Sequence, residues 1–305
     1  MPKDPQTRAT LDLTVIRSAN QKPVRKIVAL APDGRIIRIK DYPGIRLWTR
    51  ERIEIPHDID ALGAFIGAIS GRTDCCLVTG EPVGHIPLDA PARRLKHQEG
   101  ADQPTLGECA AAWLPVDCDK IPLENKLDPL DPESAISEVV EKLGAPFNST
   151  SYCWQLTASA TPSTDRLSVR LFFLTDRAIA NSDRKAWATG LNRQTGVNLV
   201  DVAPFNAAQP IYTATPEFRG HDPFPRRSGV VYGEWEVVPW ESVQIHRAEK
   251  TDYQGIDYRG PVHRSIAELL ASIGDGPGQA GFHGPIRDAI WQMGYHRWTV
   301  DRIKT

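Results

Sequence analysis

Hydrophobic and polar positions alternate in short bursts over the first hundred residues. VRKIVAL and RIIRIK are two β-rich runs around Pro32-Asp33-Gly34, a turn signal, and together they predict a hairpin. HDIDALGAFIGAIS has apolar positions at helical spacing behind an acidic start and predicts a capped helix, and CCLVTG predicts a short buried strand. From about Arg93 to Thr105 the pattern turns polar (RRLKHQEGADQPT), which predicts an exposed connection. That places a first boundary after an N-terminal mixed α/β module, residues 1–105.

Residues 106–245 are more regular. CAAAWLPVDCD predicts a strand, with Pro115 implying an edge position or a local bulge. DPESAISEVVEKLGAP predicts a helix with Asp131 as N-cap, Pro132 at the first position, Ile136, Val139, Val140 and Leu143 on one face, and Gly144 at its stop. SYCWQLTAS and RLSVRLFFLT predict two strands joined by the turn-rich ATPSTD, NSDRKAWATGLNRQTG a second helix, and VNLVDV and QPIYTAT further strands. SGVVYGEWEVVPW predicts one more hairpin, and residues 246–305 a helical C-terminal segment of two helices around a Gly-rich loop. There is no internal repeat at a solenoid period. The order β, α, β, β, α, β predicts an α+β fold: an RRM- or ferredoxin-like βαββαβ palm fused to the N-terminal module, with a short helical tail. In such a unit the first and third strands lie side by side, antiparallel, with the fourth next to the first.

That topology gives meaning to Asp117 and Asp119, at the end of the first palm strand. Residues i and i+2 of a strand share a face about 6.6 Å apart. At an effective dielectric of about 20 their repulsion is roughly 2.5 kcal/mol, so positive charge is expected there. Ser168 and Arg170 open the third strand and Asp201 stands at the approach to the fourth, so all five converge on one end of the sheet. An Asp-x-Asp pair alone says little; Asp58 and Asp60 form another, read as helix capping. Three gathered carboxylates predict Mg²⁺ or Mn²⁺ in a two-metal site suited to nucleotidyl transfer. Arg170 would offer its fork to a triphosphate beside Ser168.

Composition narrows the classes. The chain has 305 residues, 41% of them hydrophobic, enough for a substantial core. With 36 basic and 38 acidic residues it has no global pull toward polyanions, so nucleic-acid binding must rest on local patches. Arg93, Arg94 and Lys96, and Arg219, Arg226 and Arg227, are the candidates, though such groups are most often solvated surface. Five cysteines without a CxxC pair predict reduced, buried thiols and a cytoplasmic chain. No apolar leader or membrane-length stretch is found, so neither export nor insertion is expected. GPGQAG, residues 276–281, fits GxGxxG literally but follows a predicted helix and contains Pro277, so it reads as a loop. No GxxxxGK[ST] and no zinc-type histidine spacing occurs.

LPVDCDK resembles the hhhDhD motif of the archaeo-eukaryotic primase superfamily, the primase-polymerases. RLSVRLFF is similar to that family's SxH strand, and NLVDV to its third, hD, motif. QPIYTATPEFRGHDPFPRR resembles a segment that follows in phage and plasmid members. The likeness spans residues 113–227, with weaker similarity over the N-terminal module. It implies that Asp117, Asp119 and Asp201 bind metal and are catalytic, and that Ser168 and the residue at 170 contact the incoming nucleotide. It also implies a DNA primase-polymerase of mobile-element replication that uses (d)NTPs on a single-stranded or primed DNA template, working with a replicative helicase on a separate chain or a further C-terminal portion. The family histidine is Arg170 here, which keeps a cation but removes a titratable group. Two other readings stay open: a DNA-binding replication protein that has lost synthesis, and a metal-dependent nuclease using the same carboxylates.

Overall fold

The computed structural model describes residues 10–162 and 164–245, an α+β fold with mainly antiparallel sheets and three α-helices among those residues. Its first half contains β1 (Thr10–Ser18), β2 (Ile27–Leu30), β3 (Ile36–Lys40), β4 (Trp48–Pro56), α1 (Ile59–Ser70), β5 (Cys75–Val78), β6 (Glu81–Pro82) and β7 (Leu106–Gly107). The second contains β8 (Ala111–Pro122), α2 (Pro132–Leu143), β9 (Tyr152–Leu156), β10 (Arg166–Ile179), α3 (Asn181–Thr195), β11 (Glu217–Arg219), β12 (Ser228–Val231) and β13 (Val237–Val238).

Local chemistry sets several boundaries. α1 starts where the Asp58 carboxylate accepts the Ala61 amide at 2.7 Å, satisfying a donor the helix cannot. α2 starts at Asp131, which accepts the Ser134 amide, with Pro132 in the first turn. It ends at Gly144, whose φ of +74° disfavours any side chain. Between β2 and β3 the Ala31 amide donates to the Arg35 carbonyl at 2.8 Å and closes the expected hairpin.

Three sheets position the candidate residues. β1 lies between β4 and β5, antiparallel to both. The β2–β3 hairpin gains β11 in parallel beside β2. In the central sheet β10 is antiparallel to both β8 and β9, so β8 and β9 run parallel to each other and are joined through α2. β12 extends the far side of β9, and β13 pairs with Leu174 and Thr175 just past the end of the β9 ladder at Phe173.

Alternation along β10 sorts its side chains. Leu167, Val169, Leu171 and Phe173 join Ile136, Val139 and Leu143 of α2 and Trp187 of α3 in one cluster. Phe172 and Leu174 join Trp113 and the α1 and β1 residues Leu62, Ile66 and Leu13 in another. Each such burial contributes roughly 1.5–3 kcal/mol before entropy is counted. The second cluster draws on residues from both sides of the polar stretch 93–105.

Two strand expectations fail. VNLVDV and QPIYTAT each make a single antiparallel bridge, Asp201 to Asp117 and Ile211 to Leu77. The Asp201 carboxylate accepts the Ala203 amide at 2.9 Å and a 3-10 turn follows at Ala203–Phe205, so local side-chain bonding displaces the ladder. SGVVYGEWEVVPW is not a hairpin either, because β12 and β13 pair with different strands. Its connection is held instead by segment 149–151: the Gly233 amide donates to Ser151 Oγ at 2.9 Å and the Trp235 amide to the Ser149 carbonyl at 3.1 Å. The helices expected in 246–305 lie outside the described residues. Among the described residues no helix is long and apolar enough to cross a membrane.

Candidate active site

One row of residues crosses the central sheet. Gln155 of β9 is in register with Arg170 of β10, Arg170 with Asp117 of β8, and Asp117 with Asp201 through the isolated bridge. Directly opposed residues of antiparallel strands project to the same face, so all four side chains share it. Two residues along, the row Cys153, Phe172 and Pro115 is apolar. The face therefore changes from core to polar rim within two residues, as Asp117 leaves the cluster around Trp113.

Arg170 organises this row. Its Nη2 donates to Asp117 Oδ2 at 3.0 Å and its Nη1 to the Tyr212 carbonyl at 2.7 Å. The Arg170 side chain is 8% exposed, against 22% for Asp117. Burial works against the Arg170 charge, yet Asp117, by charge and hydrogen bond, leaves its pKa above the ordinary arginine value. Gln155 repeats the motif, donating to the Thr213 carbonyl and to Ser70 Oγ, both at 2.6 Å. Segment 211–215, the second lost strand, is thus held between the row and the end of α1, where the Thr215 amide donates to the Ser70 carbonyl.

Asp119 is displaced by a bulge. Leu167 pairs with Ile121 and Val169 with Cys118, so β8 carries one residue more than β10 between them. Lys120 absorbs the irregularity with φ of +56°, and its amide donates to Ser168 Oγ at 3.0 Å. The Ser168 hydroxyl in turn donates to Asp119 Oδ1 at 2.6 Å. The buried serine fixes an exposed aspartate.

The N-terminal hairpin reaches the same rim, which no motif in the sequence signalled. Tyr42 stacks on Tyr212 with ring centroids 3.8 Å apart and planes 11° from parallel. Lys26 places its ammonium 4.9 Å from the Tyr42 centroid and 3.9 Å from Asp41 Oδ1. Burial lowers the Lys26 pKa and Arg38 adds to this, while Asp41, Asp119 and Asp117 oppose it. Burial pushes the Tyr42 hydroxyl up to about 12, with Arg170 pulling the other way. Gln155 had one faint signal, a lone polar residue inside the apolar strand YCWQL.

The basic residues singled out as a nucleic-acid track are engaged internally. Arg93 pairs with Glu99 and Asp102, Lys96 with Glu108, and Arg94 donates to the Ala208 carbonyl over the Trp48 ring. Arg226 pairs with Glu133 above Trp154, Arg227 is buried against Asp222, and Arg219 lies 3.6 Å from Glu217. Asp58 caps α1, as expected, and Asp60 accepts from the Tyr232 hydroxyl.

The three aspartates suit a hard divalent cation in donor chemistry. Each uses one carboxylate oxygen internally: Asp117 Oδ2 to Arg170, Asp119 Oδ1 to Ser168, Asp201 Oδ1 to Ala203. The second oxygen of each makes no hydrogen bond among the described residues. As placed, no three His, Cys, Asp or Glu side chains among the described residues close into a metal cage. The donor set fits, and the carboxylates would have to draw together around an ion. Comparison of the chain with protein-family models, with curated proteins and with solved structures gave no match.

Proposed function

We propose that the protein is a metal-dependent nucleotidyltransferase of the primase-polymerase type, adding (d)NTPs to a strand paired with a single-stranded template. The observation that carries this is the alignment of Asp117 with Asp201 across a bridge, Asp119 two residues along, each with a carboxylate oxygen to spare. The strand arrangement supports an RRM- or ferredoxin-like palm: two parallel strands joined through α2, a third between them, and a fourth reduced to the bridge at Asp201. Mg²⁺ or Mn²⁺ held by Asp117, Asp119 and Asp201 would activate the attacking 3′-hydroxyl and neutralise the leaving phosphate. The chain's own side chains position this set. Ser168 holds Asp119, and Arg170 holds Asp117 while anchoring segment 211–215.

Primer extension and dinucleotide synthesis with labelled nucleotides in Mn²⁺ or Mg²⁺ test the reading. Incorporation by the wild type, lost in Asp117→Ala and Asp201→Ala, supports it; template shortening in its place indicates a nuclease. A second reading has one observation in its favour. The buried Arg170 guanidinium already neutralises Asp117, a would-be metal ligand, as a replication protein that binds DNA without synthesis would tolerate. Template binding with no product of either kind favours that reading.

A further inference from the structure

Resting on the nucleotidyl-transfer reading, we propose that Lys26, at the entry to the β2–β3 hairpin, is a phosphate ligand for the incoming nucleoside triphosphate. Arg170, the cation paired with Asp117, is not free. It has one terminal nitrogen on Asp117 and the other on the Tyr212 carbonyl, and it is almost wholly buried. A triphosphate brought to three aspartates adds negative charge that the buried arginine cannot meet with its fork. A further cation with unspent donors at the rim would meet part of it.

Lys26 has the position. Its ammonium sits over Tyr42, Tyr42 stacks on Tyr212, and Tyr212 accepts from Arg170, so a short chain of contacts leads from Lys26 to Asp117. The backbone around it is tied down. The Lys26 carbonyl accepts the Glu217 amide at 2.9 Å, and Arg25 pairs with Glu217 at 2.6 Å. Its side chain is 15% exposed, so the aliphatic stem is packed and the head has little freedom.

Lys26 also has the capacity. An ammonium carries three donors, and none makes a hydrogen bond among the described residues. Its nearest acid, Asp41 at 3.9 Å, is already served by Arg38 at 2.8 Å and by the Tyr42 amide at 2.9 Å. The charged groups acting on it are Asp41, Asp117 and Asp119, which attract it, and Arg38, which repels it. A compact ammonium on a packed stem, within the electrostatic reach of Asp117 and Asp119, suits a phosphate oxygen as a point charge.

Two measurements on the full chain test this. In the first, primer extension over a range of dNTP concentrations compares wild type, Lys26→Met and Lys26→Arg. Methionine keeps an unbranched apolar stem and removes the charge over Tyr42. Its KM for dNTP should rise about tenfold while kcat changes by less than about threefold, and arginine should restore most of the loss. In the second, the wild-type chain is treated with pyridoxal phosphate and borohydride, and Lys26 modification is read by peptide mass spectrometry. The lysine nitrogen adds to the aldehyde carbon, water leaves, and hydride from borohydride saturates the C=N bond. The lowered Lys26 pKa favours the free amine, and dATP should protect it.

If the wild type extends primers but neither variant changes KM, or dATP leaves labelling unchanged, Lys26 is not a phosphate ligand and the nucleotidyl-transfer reading stands. If the wild type incorporates nothing, that reading fails. Protection of Lys26 by dATP would then still support a phosphate site there, and lack of protection would remove it.

Discussion

The Asp201 amide donates to the Asp117 carbonyl at 2.8 Å, so the two aspartates face each other across the edge of the central sheet. Their side chains have different duties. Asp117 is the counter-ion of a buried guanidinium, while Asp201 is exposed and, among the described residues, accepts only the Ala203 amide.

Asparagine at each position should therefore separate chemistry from folding. Asp117→Asn leaves the Arg170 charge uncompensated and should cost about 1–3 kcal/mol of stability. Asp201→Asn can still accept from Ala203 and should stay within about 0.5 kcal/mol of wild type. Both should abolish nucleotide incorporation, and only Asp117→Asn should lower Tm. Equal Tm losses would mean that pairing with Arg170 gives the Asp117 side chain no greater structural weight than that of Asp201.

Lys120 tests the bulge. A non-glycine residue at φ of +56° is strained, more so if β-branched. Lys120→Gly should be neutral or stabilising by up to about 1 kcal/mol, and Lys120→Val should destabilise by about 1–2 kcal/mol. Urea midpoints measure both. A stability gain on valine would mean the backbone at 120 is unstrained.

Elements with local chemistry were legible in the sequence, and those that depend on a distant partner were not. Asp131, Pro132 and Gly144 fix α2 by capping and backbone preference alone, so its limits follow from the residues. Pro115 signalled an edge or a local bulge, and among the described residues β8 meets only the Asp201 bridge on its open side. NLVDV has the apolar content of a strand, but the Asp201 carboxylate bonds two residues ahead and Pro204 enters a 3-10 turn. The expected hairpin at 228–240 fails because β10 outlasts β9, which leaves its edge beyond Phe173 open to β13. Asp117, Ser168 and Arg170 could be placed because strand periodicity fixes a face, while Asp119, in the bulge, is held by Ser168. Lys26 and Tyr42 could not, since the stack on Tyr212 and the pairing of β2 with the distant β11 bring them there.

High pH should weaken the fold through its buried thiols and phenols. Burial raises Cys75 to about 11 and Cys153 to about 12, from an ordinary 9.0. Tyr42 and Tyr152 rise to about 12 from 10.0, again chiefly through burial. A raised folded pKa means the unfolded chain loses these protons first. Their contribution is intact below pH 9.0 and is lost as pH climbs through 11 and 12. Urea midpoints should hold steady up to about pH 9 and then fall, less steeply in Cys153→Ala. A flat profile to pH ~11 would show that these groups are solvated.

Gly229 tests the seam between β12 and β9. A Cβ there would lie 2.8 Å from the Trp154 indole nitrogen, which itself donates to Glu133 at 3.1 Å. Gly229→Ala should cost about 1–3 kcal/mol by overpacking, with fluorescence reporting a changed Trp154 environment. An alanine variant as stable as wild type would mean that β12 is free to lift from the sheet edge.

Arg170→Lys asks whether the row needs charge or shape. Arginine spans two acceptors at once, Asp117 Oδ2 at 3.0 Å and the Tyr212 carbonyl at 2.7 Å, from nitrogens fixed in one plane. Lysine preserves the charge that Asp117 requires but delivers it from a single nitrogen, so one of the two contacts must lengthen or pass to water. If the arginine only neutralises Asp117, Arg170→Lys should keep both stability and incorporation. If it positions segment 211–215, that segment loosens, the Tyr42–Tyr212 stack loses its backing, and dNTP KM rises about tenfold, the loss of one charge-assisted bond. The expected outcome is the second, with hydrogen exchange at the Tyr212 and Thr213 amides faster than in wild type. Unchanged exchange with unchanged KM would reduce Arg170 to a counter-ion.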